Sequence, residues 1–331
     1  MNYIMRKLKI KHLYIVGLLC VACNLITSCS DDELFSVDQR VYVNSGINGI
    51  VSLHLVDTPI GVITEQRTLG FPVVSSRELA ADAEITFKVD ESLVESYNTA
   101  NNSEYKVLPA SCYSIKNLVV RMKQGEFTSQ DSVKIEITKP EEVDLEEVYL
   151  LPLTISNLTT DDKGAQVSAN LNTIYLKIDK EYKVYNTDPI SNDKLMNNTG
   201  WEITSSSRIY EGNVVNTLDG DPTTVWFVSS KTSVANLDMK EKLDINGFSF
   251  CPFYGRYSTS TYSAKAVTVS ISEDGVNYEE VLTASLKTAG SKSSPELNYV
   301  GLYAPVKTRY LRFEFTNTTS YVGVNLINLY K

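Results

Sequence analysis

Residues 214–226 read VVNTLDGDPTTVW. Between Asp219 and Thr224 the chain places two carboxylates, two hydroxyls, a glycine and a proline, and the stretch closes on Trp226, one of two tryptophans in the sequence. Gly220 and Pro222 turn the backbone tightly, so oxygens of neighbouring residues converge. The stretch has two readings. A hard cation such as calcium collects about six to eight oxygens at short range, and here Asp219 offers a carboxylate and Thr224 a hydroxyl and a carbonyl. The other reading needs no ion: Asp219 holds a turn by Asx-type hydrogen bonds. In both, Trp226 anchors the loop to a core beneath it.

On either side of this loop the sequence runs in short alternating segments, the period-two pattern of half-buried strands. ITFKV (85–89), SVKIEI (132–137), YLLPLTI (149–155) and TIYLKI (173–178) precede it; GFSFCPF (247–253), AVTVSIS (266–272) and YLRFEFT (310–316) follow it. Helical periodicity is confined to SLVESYNTANN, which opens at Ser92 and closes near Asn102. About 300 residues exceed one comfortable core, so two β-sandwiches in series are expected. The seam lies near Lys180-Glu181-Tyr182-Lys183. Beyond it YNTDPISNDKLMNNTG (185–200) is polar and turn-rich until Trp201 begins a new pattern. The domains are placed at 38–182 and 183–331.

The N-terminus is read apart from the fold. Arg6, Lys7, Lys9 and Lys11 form a basic head before the apolar run LYIVGLLCVACNLI (13–26). That run is short for a membrane span and has the charge order of a secretory signal. It ends at Ile26-Thr27-Ser28-Cys29, which resembles the lipobox of bacterial lipoproteins, whose cysteine is diacylated and becomes the mature N-terminus. Residues 1–28 are therefore expected to be a lipoprotein signal peptide, Cys29 the lipidated residue and 29–37 an acidic tether. Ser30-Asp31-Asp32-Glu33 resembles the signal that sends Bacteroidetes-type lipoproteins to the outer face of the outer membrane; as bare chemistry it is a solvated acidic linker. The expected location is the outer membrane, facing the cell exterior, with the membrane touched only through the lipid.

Removing residues 1–28 takes four of the 31 basic side chains and none of the 40 acidic ones, leaving 27 against 40, a net charge of −13. A basic face for nucleic acid is excluded as the main theme, and neutral partners fit better. Cys20 and Cys23 leave with the signal, and Cys112 and Cys251 fall on opposite sides of the seam. No disulfide within a domain is expected, and both are read as small buried hydrophobes.

The N-terminal half carries VDESLVESYN, YKVLPASCYS, MKQGEFTS and YLLPLTI in order. This resembles the domain of unknown function numbered 1735, common at the N-terminus of Bacteroidetes-type outer-membrane lipoproteins. The resemblance implies an immunoglobulin-like sandwich that precedes a glycan-binding or glycan-cleaving module. Read from the residues, Tyr97, Tyr105 and Tyr113 pack a helix onto the sandwich, Leu108-Pro109 starts a strand where no amide donor is needed, and the domain is a spacer.

From about Trp201 to Lys331, TLDGDPTTVW (217–226), VSISEDGVNYEEV (269–281) and the closing YLRFEF and VNLINLY resemble the coagulation factor V/VIII type C, or discoidin, domain, a fold shared by family 32 carbohydrate-binding modules. The resemblance implies a discoidin-like jelly roll and a structural calcium held by Asp219 and Thr224 with the carbonyls of Thr217 and Asp221. A glutamate often precedes the last strand in that family; Leu326 stands there, leaving the carbonyl of Asn325 as the nearby ligand. The resemblance also implies a ligand site on the loops at one end of the roll, at Phe227 after the tryptophan and at Tyr321 in the last loop. The loop FYGRYSTSTY (253–262) adds Tyr254, Arg256 and Tyr257, aromatic faces and one guanidinium suited to sugars. With 20 tyrosines in the chain, the alternative is that Phe253 and Tyr262 are core and Tyr254 and Tyr257 ordinary surface residues.

Catalysis finds little support. Of two histidines, His12 leaves with the signal and His54 stands alone in VSLHLV, where a satisfied strand histidine is expected rather than a base. Clusters for zinc are missing from the sequence, and Glu141-Glu142 and Glu146-Glu147 read as solvated edge charges. The expected function is non-catalytic glycan binding at the cell surface for polysaccharide capture, with an outer-membrane glycan transporter or surface glycosidases as neighbours. The alternatives are an adhesive protein with a protein partner, and a glycosidase with an unrecognised carboxylate pair.

Overall fold

The computed structural model describes residues 39–44, 49–64 and 66–331. The signal peptide, Cys29 and the acidic tether lie outside the described residues. Two β-structures follow each other in the chain. In the first, a five-stranded sheet runs in the order 165–167, 39–43, 68–75, 128–137, 113–116. A seven-stranded sheet runs 61–63, 50–58, 173–182, 148–160, 83–89, 119–122, with 106–107 attached to 148–160. Alternation explains the packing: in Ala83–Val89, Ala83, Ile85 and Phe87 are buried and their neighbours are not. Both sheets bury such faces against one shared core around Ile135, Leu151 and Leu176.

Among the described residues the one long helix is Ser92–Asn101, closed by Asn102 in the left-handed region at φ 51°, a conformation asparagine tolerates well. Tyr97 rests against Tyr175 and Tyr105, at ring-centroid distances of 4.7 and 6.0 Å. Tyr113 packs against the same sandwich core. Leu108-Pro109 does not start a strand. It leads into a 3-10 turn, Ala110–Cys112, and the strand resumes at Tyr113; the proline's lack of an amide suits the entry to such a turn as well as a strand edge.

The strand Thr173–Tyr182 ends the first sandwich, and Lys183 donates its amide to the Asp57 carbonyl. In the second β-structure the strands follow the order 209–212, 226–228, 322–330, 232–252, 298–316, 266–272, 279–285. The 21-residue strand Thr232–Pro252 pairs with Asn298–Thr316 in stretches broken at Asp238/Leu243 and Ile245/Gly247. Its second half also pairs with Val322–Tyr330. These breaks let the sheet bend over its own core. YLRFEF alternates as expected, with Leu311, Phe313 and Phe315 buried. Phe250 and Trp226 meet Phe315 edge-on at 5.6 and 6.3 Å. Among the described residues no helix is long and apolar enough to cross a membrane.

Candidate functional site

The loop that opens the sequence reading ties back on itself. Asp219 Oδ1 accepts from the Asp221 amide at 2.8 Å, and Asp221 Oδ1 accepts from the amide and hydroxyl of Thr223 at 2.8 and 2.7 Å. The Thr223 hydroxyl and amide hold the Asp221 carboxyl below its ordinary pKa. Gly220 makes the bend with φ +77°, a conformation that strains residues with a Cβ. The Asx-type turn is therefore present.

A second feature sits inside it. Thr224 Oγ1 lies 2.9 Å from Asp219 Oδ2, 3.0 Å from the Asp221 carbonyl and 3.3 Å from the Asn216 carbonyl. The Asn216 and Asp221 carbonyls also accept from the Asp219 and Thr224 amides at 3.4 and 3.2 Å; the loop thus gathers four oxygens around one hydroxyl, a set whose chemistry fits a hard cation. Of the expected ligands, Asp219, Asp221 and Thr224 are brought together. Thr217 is fully buried with its hydroxyl on the Val214 carbonyl, and Asn216, which the sequence reading missed, supplies the carbonyl beside Thr224. Asn325 is fully buried in a bulge of the last strand. Its side chain donates to the Pro222 carbonyl at 2.7 Å and accepts from the Tyr254 amide at 3.3 Å. Asn325 thus bolts this loop to the next one. Leu326 packs with Cys251 and Tyr254, where a carboxylate would be desolvated. Among the described residues no group of three or more His, Cys, Asp or Glu side chains could hold a metal, so an ion here would depend on neutral oxygens and one carboxylate.

Beside the loop, four tyrosines close a ring. Centroid distances run 5.9 Å from Tyr210 to Tyr257, 6.2 Å to Tyr262, 5.8 Å to Tyr321 and 5.4 Å back to Tyr210. Phe227 lies within 5.3 to 5.7 Å of all four and stacks on Phe253 at 4.6 Å. The Phe253 ring fits because Gly255 and Gly323 leave room: a Cβ on either would fall 2.2 or 2.5 Å from it. Asn317 ties the outer loops together, donating to the carbonyls of Thr261 and Tyr321 at 2.9 and 2.8 Å. Tyr210 is half exposed and its hydroxyl lies 3.3 Å from that of Tyr257; this neighbour holds the Tyr210 phenol above its usual pKa. The hydroxyls of Tyr262 and Tyr321 make no hydrogen bond among the described residues.

Two expectations are corrected here. Phe227 is 2% exposed and is the floor of the ring, not a contact surface. Tyr254 is buried at 1%, its hydroxyl donating to the Ala289 carbonyl and accepting from the Glu296 amide. Burial raises its pKa, and its role is to pin the segment 289–296. The chain turns at Gly255, so alternation sends Tyr254 inward and Tyr257 outward, which composition alone does not show. Tyr257, Arg256 and Tyr321 do lie together at the rim. The Arg256 guanidinium stands 5.0 Å over the Tyr257 ring, and its Nε is 3.3 Å from Glu211 Oε2. That approach is an ion pair without hydrogen-bond direction, because Glu211 Oε2 is shielded from solvent and has no hydrogen-bond donor. The sequence reading missed Tyr210, Glu211 and Asn317; a Tyr-Glu pair closing a short strand next to the loop was the available signal.

The remaining candidates have structural roles. His54 bonds Asp179 through Nδ1 at 2.8 Å and Glu181 through Nε2 at 2.7 Å, a satisfied strand histidine. Cys251 is buried and its thiol is pushed up to about 12 by desolvation, so it is inert.

No curated protein matches the chain. Among solved structures, a two-domain protein of unknown function from Bacteroides fragilis is similar over 88% of this chain and 94% of its own, at 17% identity and a TM-score of 0.45. A family 32 carbohydrate-binding module from Clostridium perfringens, in complex with galactose, is similar over 42% of this chain and 98% of its own, at 10% identity and a TM-score of 0.36. Another from that organism, in complex with GalNAc-β-1,3-galactose, is similar over 41% and 99%, at 16% identity and a TM-score of 0.36. Residues 37–162 match a family of N-terminal domains, and residues 202–328, which take in the oxygen-rich loop, the tyrosine ring and most of the last strand, match the F5/8 type C domain, so the C-terminal half is a discoidin-like β-sandwich.

Proposed function

We propose that this protein binds glycans, without catalysis, on the ring of Tyr210, Tyr257, Tyr262 and Tyr321. The closed ring carries the proposal: it presents flat aromatic edges and faces on a rigid floor, with the hydroxyls of Tyr262 and Tyr321 unengaged among the described residues and Arg256 over the Tyr257 ring. Sugars have an apolar face that stacks on such rings and hydroxyls that need donors and acceptors. Arg256, exposed at the rim, offers a fork of donors. The complexes of the similar modules with galactose and GalNAc-β-1,3-galactose agree with this class of ligand. A single site of this size desolvates few atoms, so affinity is expected between about 100 μM and a few mM. A glycan array identifies the ligand, and calorimetry on Arg256→Ala tests the site. Binding equal to that of the unaltered protein would move the site elsewhere.

The oxygen-rich loop is proposed to hold a structural calcium through Asp219, Thr224 and the carbonyls of Asn216 and Asp221. Its function is to stiffen the base of the rim through Asn325. Acylation at Cys29 is proposed to tether the protein to the outer membrane, with the acidic run directing it to the exterior. There it serves polysaccharide capture beside a glycan transporter or surface glycosidases. In a Cys29→Ala strain the protein should leave the membrane fraction; retention there would defeat the anchor.

A further inference from the structure

At the start of the oxygen-rich loop, against Leu218 and Asp219, a cleft of about 350 Å³ opens beside Trp201, within the roughly 300–1,000 Å³ span of small-molecule sites. It is lined by Trp201, Val215 and Leu218 together with the polar residues Asn198, Glu202, Thr204 and Asp219. A second cavity of about 230 Å³ shares Asn198, Trp201, Leu218 and Asp219 and continues past Gly220 to Asn328. Trp201 therefore borders two neighbouring hollows.

The cleft is built on fixed elements. The strand Glu202–Thr204 pairs with Thr232–Pro252 and sends Ile203 into the core, leaving Thr204 outside. The 3-10 helix Val214–Leu218 forms the facing wall, its start capped by the Asn213 side chain. Asn198 joins the two walls: its Nδ2 donates to the Leu218 carbonyl at 2.5 Å and its carbonyl accepts from the Trp201 amide at 3.1 Å. Two polar atoms of the lining residues have no partner among the described residues, the Asn198 side-chain oxygen and the Trp201 indole N–H. Val215, at the lip, is 52% exposed although apolar.

A half-buried tryptophan, an exposed valine, and one acceptor and one donor without partners among the described residues together match an amphipathic ring. A purely apolar ligand would leave the Asn198 oxygen and the indole N–H unanswered. An anion would meet no Lys or Arg in the lining, and a cation would find Glu202 paired with Lys240 at 2.6 Å and the Asp219 oxygens already accepting from the Asp221 amide and the Thr224 hydroxyl. We infer that the Trp201 cleft is a second saccharide subsite that takes one neutral pyranose ring. Its ligand class rests on the glycan reading of the tyrosine ring; its position does not.

Tryptophan emission reads this cleft directly. The chain has two tryptophans, and Trp226 is 1% exposed in the core. Galactose, N-acetylgalactosamine, glucose and mannose, each titrated to about 50 mM because single-ring sites are weak, should include at least one that shifts the emission and shields it from acrylamide. The midpoint should be millimolar. The shift should survive Tyr257→Ala, weaken at least tenfold in Thr204→Arg, which fills the cleft from its exposed edge, and vanish in Trp201→Phe. A shift that persists in Trp201→Phe comes from Trp226 and overturns the cleft, as does an unchanged midpoint in Thr204→Arg or a flat response to all four sugars. If the emission shift stands while calorimetry shows no binding that depends on Arg256, the ring reading fails and the cleft stays.

Discussion

Two clusters of tyrosine, one in each sandwich, are built from the same side chain and do different things. In the first sandwich Tyr97 lies between Tyr105 and Tyr175, and Lys177 covers the Tyr105 ring at 6.0 Å. The groove beside it is larger than the Trp201 cleft, about 1,020 Å³, but its walls include Glu91, Glu95, Asn98 and Glu104. There the ring faces are spent on holding a helix to a sheet. In the second sandwich the four tyrosines spend their inner edges on Phe227, itself backed by Phe253, and leave their outer edges open. The lesson is that a tyrosine cluster becomes a binding surface when something else fills the space beneath it. Cavity size is a poor guide to the choice between them.

The comparison can be broken by exchanging the roles of stability and binding. Tyr97→Ala should cost about 2 kcal/mol of stability, as expected for truncating a half-buried aromatic, and leave glycan affinity unchanged. Tyr257→Ala should lower affinity at least tenfold, about 1.4 kcal/mol, with little change in unfolding temperature. Denaturant unfolding and calorimetry on both variants decide it. If Tyr97→Ala lost binding, or if Tyr257→Ala unfolded without losing it, the two clusters would not differ in the way argued.

A smaller effect sharpens the difference, because only the second cluster adjoins the oxygen-rich loop. Chelator should lower the unfolding temperature of the C-terminal sandwich by a few degrees, roughly 1 kcal/mol of lost ion binding, and leave the N-terminal one alone. Asp219→Ala should remove that response. Calorimetric scans insensitive to chelator would leave the loop as a hydrogen-bonded turn.

The smallest expected effect lies in the first sandwich. Burial alone would lower the pKa of His54, but its bonds to Glu181 and Asp179 and their charges outweigh this, and the net shift is upward. A raised folded-state value means that the clamp stabilises fully below the ordinary histidine range and fades as pH rises through the folded pKa. At 43% side-chain exposure solvent screens much of it, so a fraction of a kcal/mol is expected. Compared with His54→Gln, the unaltered protein should melt higher near pH 5 and equally near pH 8. A gap that widened with pH would reverse the assignment.

Much of the molecule was legible in its residues. Period-two alternation marks the strands because successive side chains on a strand point to opposite faces, and the segments 85–89, 132–137, 173–178 and 266–272 all lie within observed strands. The helix and its asparagine end were legible for the same local reason. Leu108-Pro109 was misread because a proline entry serves both a strand edge and a 3-10 turn, and only the partner strand decides between them.

The chain by itself determined the β-rich architecture, the tight oxygen-rich turn and the presence of aromatic loops, since each depends on neighbours within a few residues. Tertiary structure alone decided which aromatics face outward. Tyr254 and Tyr257 are three residues apart, yet one is pinned beneath Ala289 and Glu296 and the other joins a ring with Tyr210, 47 positions away in the sequence. The same holds for Asn325, whose amide bolts Pro222, 103 positions distant. Burial and convergence are properties of contacts between remote segments, and those contacts exist only once the sheet has bent back on its own core.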